Sequence, residues 1–438
     1  MFELTRRNLL KFGLAGGALL AAGVPAKALV SVTVTGGDFV PLPIAVPDFA
    51  SSDPTFGKQI ADIVRANLKR SGLFAPLDPA AMPTQVGDVN ATPDFNAWRG
   101  ASVDAVVMGQ VDRGGQIQSQ VRVWDTAKAA QVVGNSYNSD PQNDRRIAHL
   151  VSDAIYVALT GGTGYFDSQV VFIAESGPKA NRVKQVAIMD QDGANVQVLS
   201  SGDQLKIGPV MSLDRSMVAY SMQDDSGFQV YIGQIGGKVH KLINRAPESN
   251  APAFSPNGQT VVFSVISGGI TNLYAVDLGG SKPVQLTSGA SIDTEASYSP
   301  DGSKIAFTSD RGGQRQIYIM SADGGGAQRI TYGDGQYDTP VWAPKGDLIA
   351  FTRNAGSGFQ IGTMKPDGSD ERILVDGSAV VESPSFCPNG RVIMYSRDPG
   401  GDSMSSLWTV DIWGRNEQQV QIDGGIGASD ADWGSLRT

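Results

Sequence analysis

Cysteine occurs once and histidine twice in the 438 residues. A disulfide framework needs cysteine pairs and is excluded, and one cysteine with two histidines falls short of the four Cys/His ligands of a structural zinc centre. Charge is also sparse. Asp, Glu, Lys and Arg make up 18% of the chain, with a net charge of −9, against a globular average of about 25% charged residues. A net acidic chain argues against a general nucleic-acid binder, which needs a basic face, and leaves only a local basic patch open. The longest apolar run, Phe12 to Val24, falls short of the roughly 20 residues of a helical membrane span. No serine has glycine at both −2 and +2, and there is no Walker loop and no His-Glu-x-x-His. The nucleophile elbow, the phosphate cradle and the zincin site are therefore missing.

Glycine is abundant, at 53 residues, about 12% against an average near 7%. Many glycines and few charges fit short strands and tight turns, hence a largely all-β body. The first 28 residues have a basic start at Arg6, Arg7 and Lys11, the apolar run, and Ala26-Lys27-Ala28. This is the layout of a secretory signal. Thr5-Arg6-Arg7-Asn8-Leu9-Leu10-Lys11 resembles the twin-arginine export motif.

A repeat begins near residue 209. Phe254-Ser-Pro-Asn-Gly258, Tyr298-Ser-Pro-Asp-Gly302, Trp342-Ala-Pro-Lys-Gly346 and Phe386-Cys-Pro-Asn-Gly390 share one phrase, and Met211-Ser-Leu-Asp-Arg215 is a degenerate copy. Each precedes an apolar triplet whose closing aromatic falls at 220, 263, 307, 351 or 395, in steps of 43, 44, 44 and 44 residues. Val170-Val-Phe172 is an earlier, sixth triplet. Four strands per period of about 40–45 residues describe a β-propeller blade. Asp430-Ala-Asp-Trp433 reads as one more innermost strand with no blade after it, while the first copy lacks that strand. The chain end thus completes blade one and leaves no open edge.

Residues 29–164 read as a separate α+β domain. Val30, Val32 and Val34 alternate with polar residues as in a strand, and Pro43 to Phe49 reads as a second. Asp53-Pro54 starts a helix through Phe56, Ile60, Ile63, Val64 and Leu68, stopped by Gly72. Residues 103–111 and 116–124 read as strands, and Ile147 to Ile155 as a helix ending at Gly161. The division is 1–28 signal peptide, 29–164 α+β domain and 165–438 six-bladed propeller.

His149, His240 and Cys387 are isolated and read as structural or surface residues. The turn Asp190-Gln-Asp-Gly193 could offer carboxylates to calcium, but calcium-hand spacing is missing. No cofactor is expected beyond a calcium ion in the propeller channel. The informative polar cluster is the connection into each innermost strand: Glu248-Ser-Asn-Ala-Pro252, Asp293-Thr-Glu-Ala296, Asp338-Thr-Pro340 and Glu382-Ser-Pro384. At equivalent places in a ring, these form an acidic, hydroxyl-bearing rim at one channel mouth.

Several phrases, taken together, resemble the periplasmic TolB family of the Tol–Pal envelope system. They are Pro43-Ile-Ala-Val-Pro-Asp-Phe49, Ser71-Gly-Leu-Phe74, Asp104-Ala-Val-Val-Met-Gly-Gln-Val111, Tyr156-Val-Ala-Leu-Thr-Gly161, Asn250-Ala-Pro-Ala-Phe-Ser-Pro-Asn-Gly258 and Phe307-Thr-Ser-Asp-Arg311. The resemblance implies a monomeric, non-enzymatic periplasmic adaptor that supports outer-membrane integrity and constriction during cell division. It implies docking of the lipoprotein Pal at the propeller mouth through Glu248, Ala251, Thr294, Glu295, Thr339 and Ser383, so that the chain is peripheral to the outer membrane. It implies contact of TolA with the N-terminal segment at Leu29, Val30, Val32 and Val34. Glu248 stands where the family commonly has histidine. The competing class is a propeller-containing hydrolase or peptidase accessory domain, for which the sequence offers no nucleophile–base pair. A sugar-binding propeller would need aromatic platforms at one mouth, whereas the aromatics here fall mostly at repeating core positions.

Overall fold

The computed structural model describes residues 40–437, except 245–246, 281 and 378. The signal peptide and the 29–35 segment lie outside the described residues.

The N-terminal part is a five-stranded sheet with two long helices. The helix Pro54–Arg70 is capped as its sequence demands. The Asp53 carboxylate accepts from the Thr55 and Phe56 amides, Pro54 occupies the first turn, and Phe56, Ile60, Val64 and Leu68 are buried. The second helix, Asp144–Thr160, ends at Gly161 in the left-handed conformation. The sheet runs Phe74–Pro76, Leu42–Ala45, Ala105–Arg113, Ile117–Asp125 and Ala130–Ser139 from edge to edge. One expectation is corrected. Pro43 to Phe49 forms two strands, because Pro47 cannot donate to a ladder. Leu42–Ala45 joins the main sheet, and Asp48–Phe49 pairs with Val86–Gly87 in a separate ribbon.

The remainder is six four-stranded antiparallel sheets. Blades two to six are consecutive in the chain. Blade one combines Ser168–Ser176, Val183–Asp190 and Gln197–Val198 with the C-terminal strand Gly427–Leu436, which pairs with Ser168–Ser176. The triplet aromatics Phe172, Tyr220, Phe263, Phe307, Phe351 and Tyr395 are all buried.

The first domain sits on blades one and six. Its sheet and helices share one hydrophobic cluster with the linker residues Tyr165 and Phe166, with Val170, Phe172 and Trp433 of blade one, and with Cys387, Met394 and Leu407 of blade six. Polar contacts ring this cluster. The amides of Asn416 and Gln418 donate to the Arg70 carbonyl, Asn389 donates to the Thr163 carbonyl, and Arg146 pairs with Asp167.

Candidate functional site

The innermost strand of every blade breaks its register with the second strand, and the breaks near its start are equivalent. They fall between Ile207/Val210, Asn250/Ala253, Thr294/Ser297, Asp338/Val341, Glu382/Ser385 and Ser429/Asp432. At each bulge one residue takes a left-handed backbone: Gly208 (φ 56°), Ala251 (49°), Glu295 (54°), Thr339 (47°), Ser383 (55°) and Asp430 (50°). A bulge re-aims its side chain out of the ladder. All six residues are half-buried and line one cavity of about 640 Å³ at the propeller centre.

The rim expected from the sequence is therefore largely a physical ring. Ala251, Thr294, Glu295, Thr339 and Ser383 all line the cavity. Glu248 does not. It is turned toward blade two, where its Oε1 accepts from the Phe228 amide at 3.2 Å. Sequence reasoning missed Gly208 and Asp430, although continuing the repeat past Ser383 leads to Asp430.

Adjacent blades are stitched at this ring. Glu295 Oε2 accepts from the Thr339 amide of the next blade at 2.9 Å and from the Thr308 hydroxyl at 3.0 Å. Asp430 accepts from the Gly208 amide at 3.3 Å and from the Ser383 hydroxyl at 3.2 Å. Ser221 and Ser396 receive the amides of Ala251 and Asp430. Two residues further along the strands, Asp432 accepts from the Met211 amide at 2.8 Å, and Ser297 and Ser385 accept from the Trp342 and Trp433 amides. The hydroxyls of these strands thus join blade to blade.

The ring and the strands that carry it bring several carboxylates close together. Burial, then the charge of Glu295, raises the Asp338 carboxyl to about 6, with Arg315 opposing. Burial raises Asp432 to about 6. Glu382, whose side chain keeps an exposed face, is raised by partial desolvation inside the cavity and by the charges of Asp430 and Glu295.

The channel carboxylates do not form a compact ligand group. Among the described residues, one trio has ligand atoms within 4.8 Å of one another: His149, Asp190 and Asp192. It lies at the domain seam and does not fit a metal. Asn67 donates an amide hydrogen toward His149 Nδ1, so the neutral ring carries its proton on Nε2, the atom 3.8 Å from Asp190. Arg145 pairs with Asp192 and Arg437 with Asp190. The Asp190-Gln-Asp-Gly193 turn is thus a docking turn whose charges are met by arginines. His149 is buried and His240 is exposed. Cys387 is buried, its thiol donating to Asn389 Oδ1 as the Ser255 and Ser299 hydroxyls donate in their turns. No nucleophile–base pair arises from these residues.

Comparison with known proteins agrees with this architecture. The TolB amino-terminal domain matches residues 30–132, and the TolB beta propeller domain matches residues 156–437. The chain belongs to the TolB family. The crystal structure of TolB from Acinetobacter baumannii is 25% identical, with a TM-score of 0.79 over 90% of this chain and 97% of that one. More distant likenesses show the propeller fold alone. A chain of a nidogen/laminin complex is 9% identical, with a TM-score of 0.51 over 62% of this chain and 100% of its own. Hydrazine synthase of Kuenenia stuttgartiensis is 14% identical, with a TM-score of 0.50 over 61% of this chain and 46% of its own. The family and the fold expected from the sequence hold: a small N-terminal domain followed by a six-bladed propeller, in a protein of the Tol–Pal type.

Proposed function

We propose that this chain is a periplasmic, non-enzymatic adaptor that binds Pal at the cavity ring and TolA through residues 29–35, supporting outer-membrane integrity and constriction at division. The observation that carries the Pal assignment is the ring itself. Five blades place a non-glycine residue in a strained backbone at the rim of one cavity, and such strain, of the order of 1–3 kcal/mol each, clusters at binding sites. The TolA assignment is supported by a receptive surface on the domain that the segment precedes. Among the described residues, the edge strand Ala130–Ser139 is paired on one side only. Beside it lies a groove of about 400 Å³ lined by Val133, Tyr137, Leu150, Ala154 and Val157. Alternating Val30, Val32 and Val34 suit such an edge. A segment that leaves this edge becomes available to a competitor, and the two bound states exclude each other by linkage.

Calorimetric titration against the periplasmic domain of Pal and against TolA tests both halves. Thr294→Ala with Glu295→Ala should weaken Pal about tenfold or more, since each truncation leaves a polar contact unmade at about 1–3 kcal/mol. Deleting residues 29–35 should abolish TolA binding and leave Pal binding in place. Unchanged Pal affinity in the double variant removes the ring as the dock, and retained TolA binding in the deletion removes the segment.

A further inference from the structure

We infer that Asp430, on the C-terminal strand, is the sixth member of the partner-binding ring and contacts the bound protein directly, accepting N–H donors from a partner loop. The inference rests on the Pal reading of the ring.

Three observations converge on this residue. The first is backbone strain. Asp430 holds φ at 50° at the bulge position where blade two has Gly208. Glycine meets this geometry at no steric cost, whereas a side chain does not. Blade two shows that the fold accepts glycine there, so the bulge alone does not require the Asp430 side chain.

The second is position. Asp430 is half-buried and lines the same cavity as Ala251, Glu295, Thr339 and Ser383. A body seated on those four meets Asp430 as it closes the circle.

The third is unspent capacity. The intramolecular bonds to Asp430 are long, 3.3 Å from the Gly208 amide and 3.2 Å from the Ser383 hydroxyl, and a carboxylate offers about four lone-pair sites. Two hydroxyls of the ring are engaged within the protein. The Ser383 hydroxyl is given to Asp430, and the Thr339 hydroxyl shares a hydrogen with Thr352 at 2.6 Å. Asp430 and Glu295 bring carboxylate oxygens to the cavity, and Asn250, another lining residue, has an Oδ1 that is buried with no hydrogen-bond partner. The complementary partner surface is one of backbone or side-chain N–H groups, such as a loop leading into a helix N-terminus.

The test uses the full mature chain and the periplasmic domain of Pal in calorimetry, with thermal unfolding of each variant. Asp430→Gly should weaken Pal about tenfold or more while melting within about 2 °C of the native chain, because relief of the left-handed strain offsets two long hydrogen bonds. Asp430→Asn keeps size and one acceptor oxygen and should fall between. Native affinity in both variants overturns the inference, while a weakened Thr294/Glu295 variant would leave the ring assignment standing. An affinity loss that comes only with a melting drop above about 5 °C also overturns it, since Asp430 would then be a blade-to-blade latch alone. A native chain that does not bind Pal removes both readings.

Discussion

Two groups of carboxylates in this molecule have opposite consequences for stability. At the blade turns, Asp214, Asp301 and Asp367 accept from serine hydroxyls and from the amide two residues on, which holds them below the usual carboxylate range, Asp301 at about 2. Asp153, Asp338 and Asp432 are instead raised to about 6, in each case mainly by burial. Asp153 is raised even though it accepts the Phe166 and Asp167 amides of the interdomain linker. For the raised group, the native state binds protons that the unfolded chain has released between pH 4 and 6. Its stabilising effect is complete below the unfolded value near 3.8 and is lost as pH rises through 6. For the lowered group, the contribution is present above 3.8 and is lost as pH falls further. Stability should therefore rise as pH is lowered from about 7.5 to about 5 and fall steeply below about 3.5. Melting temperatures across this range check the sign. Asp432→Asn should flatten the rise between about pH 7.5 and 5. A melting temperature that increases steadily over that interval as pH goes up would contradict the burial of these three carboxyls as the dominant effect.

The turn phrases were legible at the level of elements because they are local chemistry. Ser, Pro, Asn or Asp, and Gly in fixed order encode a turn in which the hydroxyl donates to the Asn or Asp side-chain oxygen and a left-handed glycine follows, and the spacing of the triplets encodes the blade. The ring was only half legible. Its residues could be named from the repeat, but the bulge that aims them depends on pairing between strands, and Glu248 lies a few residues outside it. The C-terminal strand shows the same division. Asp430-Ala-Asp-Trp433 reads as an innermost strand, but its load becomes visible only in three dimensions. Trp433 Nε1 donates to the Ser168 hydroxyl at 2.8 Å, and the Arg437 amide donates to the Asp167 carbonyl at 2.7 Å. Asp432 holds blade two through the Met211 amide. Deleting residues 427–438 would expose the Ser168–Ser176 edge and the apolar Val170 and Phe172 beside it. Unpaired edges with apolar faces aggregate. We expect the truncated chain to melt at least about 10 °C lower or to leave solution as oligomers. Size-exclusion chromatography with thermal scanning distinguishes this from a chain whose ring closes without that strand.

At the scale of the whole molecule, the two domains share a core and should behave as one cooperative body. The seam has an aromatic centre. Tyr156 of the second helix stands 5.9 Å from both Tyr165 and Phe166 of the linker and 6.3 Å from Phe74 of the edge strand, and Tyr165 stands 5.8 Å from Trp433 of the propeller. Edge-to-face pairs of this kind add about 0.5–1.5 kcal/mol each beyond their burial. Around them, Arg145, Arg146 and Arg437 pair with Asp192, Asp167 and Asp190. These ion pairs orient the domains, but the aromatic cluster carries most of the favourable energy, because buried pairs give back much of their attraction as desolvation. Domains joined by a large apolar contact lose their default independence. Calorimetry of the native chain should show one transition. Tyr156→Ala removes the ring at the centre, at a cost of about 3–5 kcal/mol. The loss falls on the contact and leaves the sheet and blades intact, so the endotherm should split in two, with the N-terminal domain melting first. Neutralising Arg146 should lower the melting temperature slightly without splitting it. If Tyr156→Ala keeps a single transition while the Arg146 variant divides it, charge rather than aromatic packing holds the domains together.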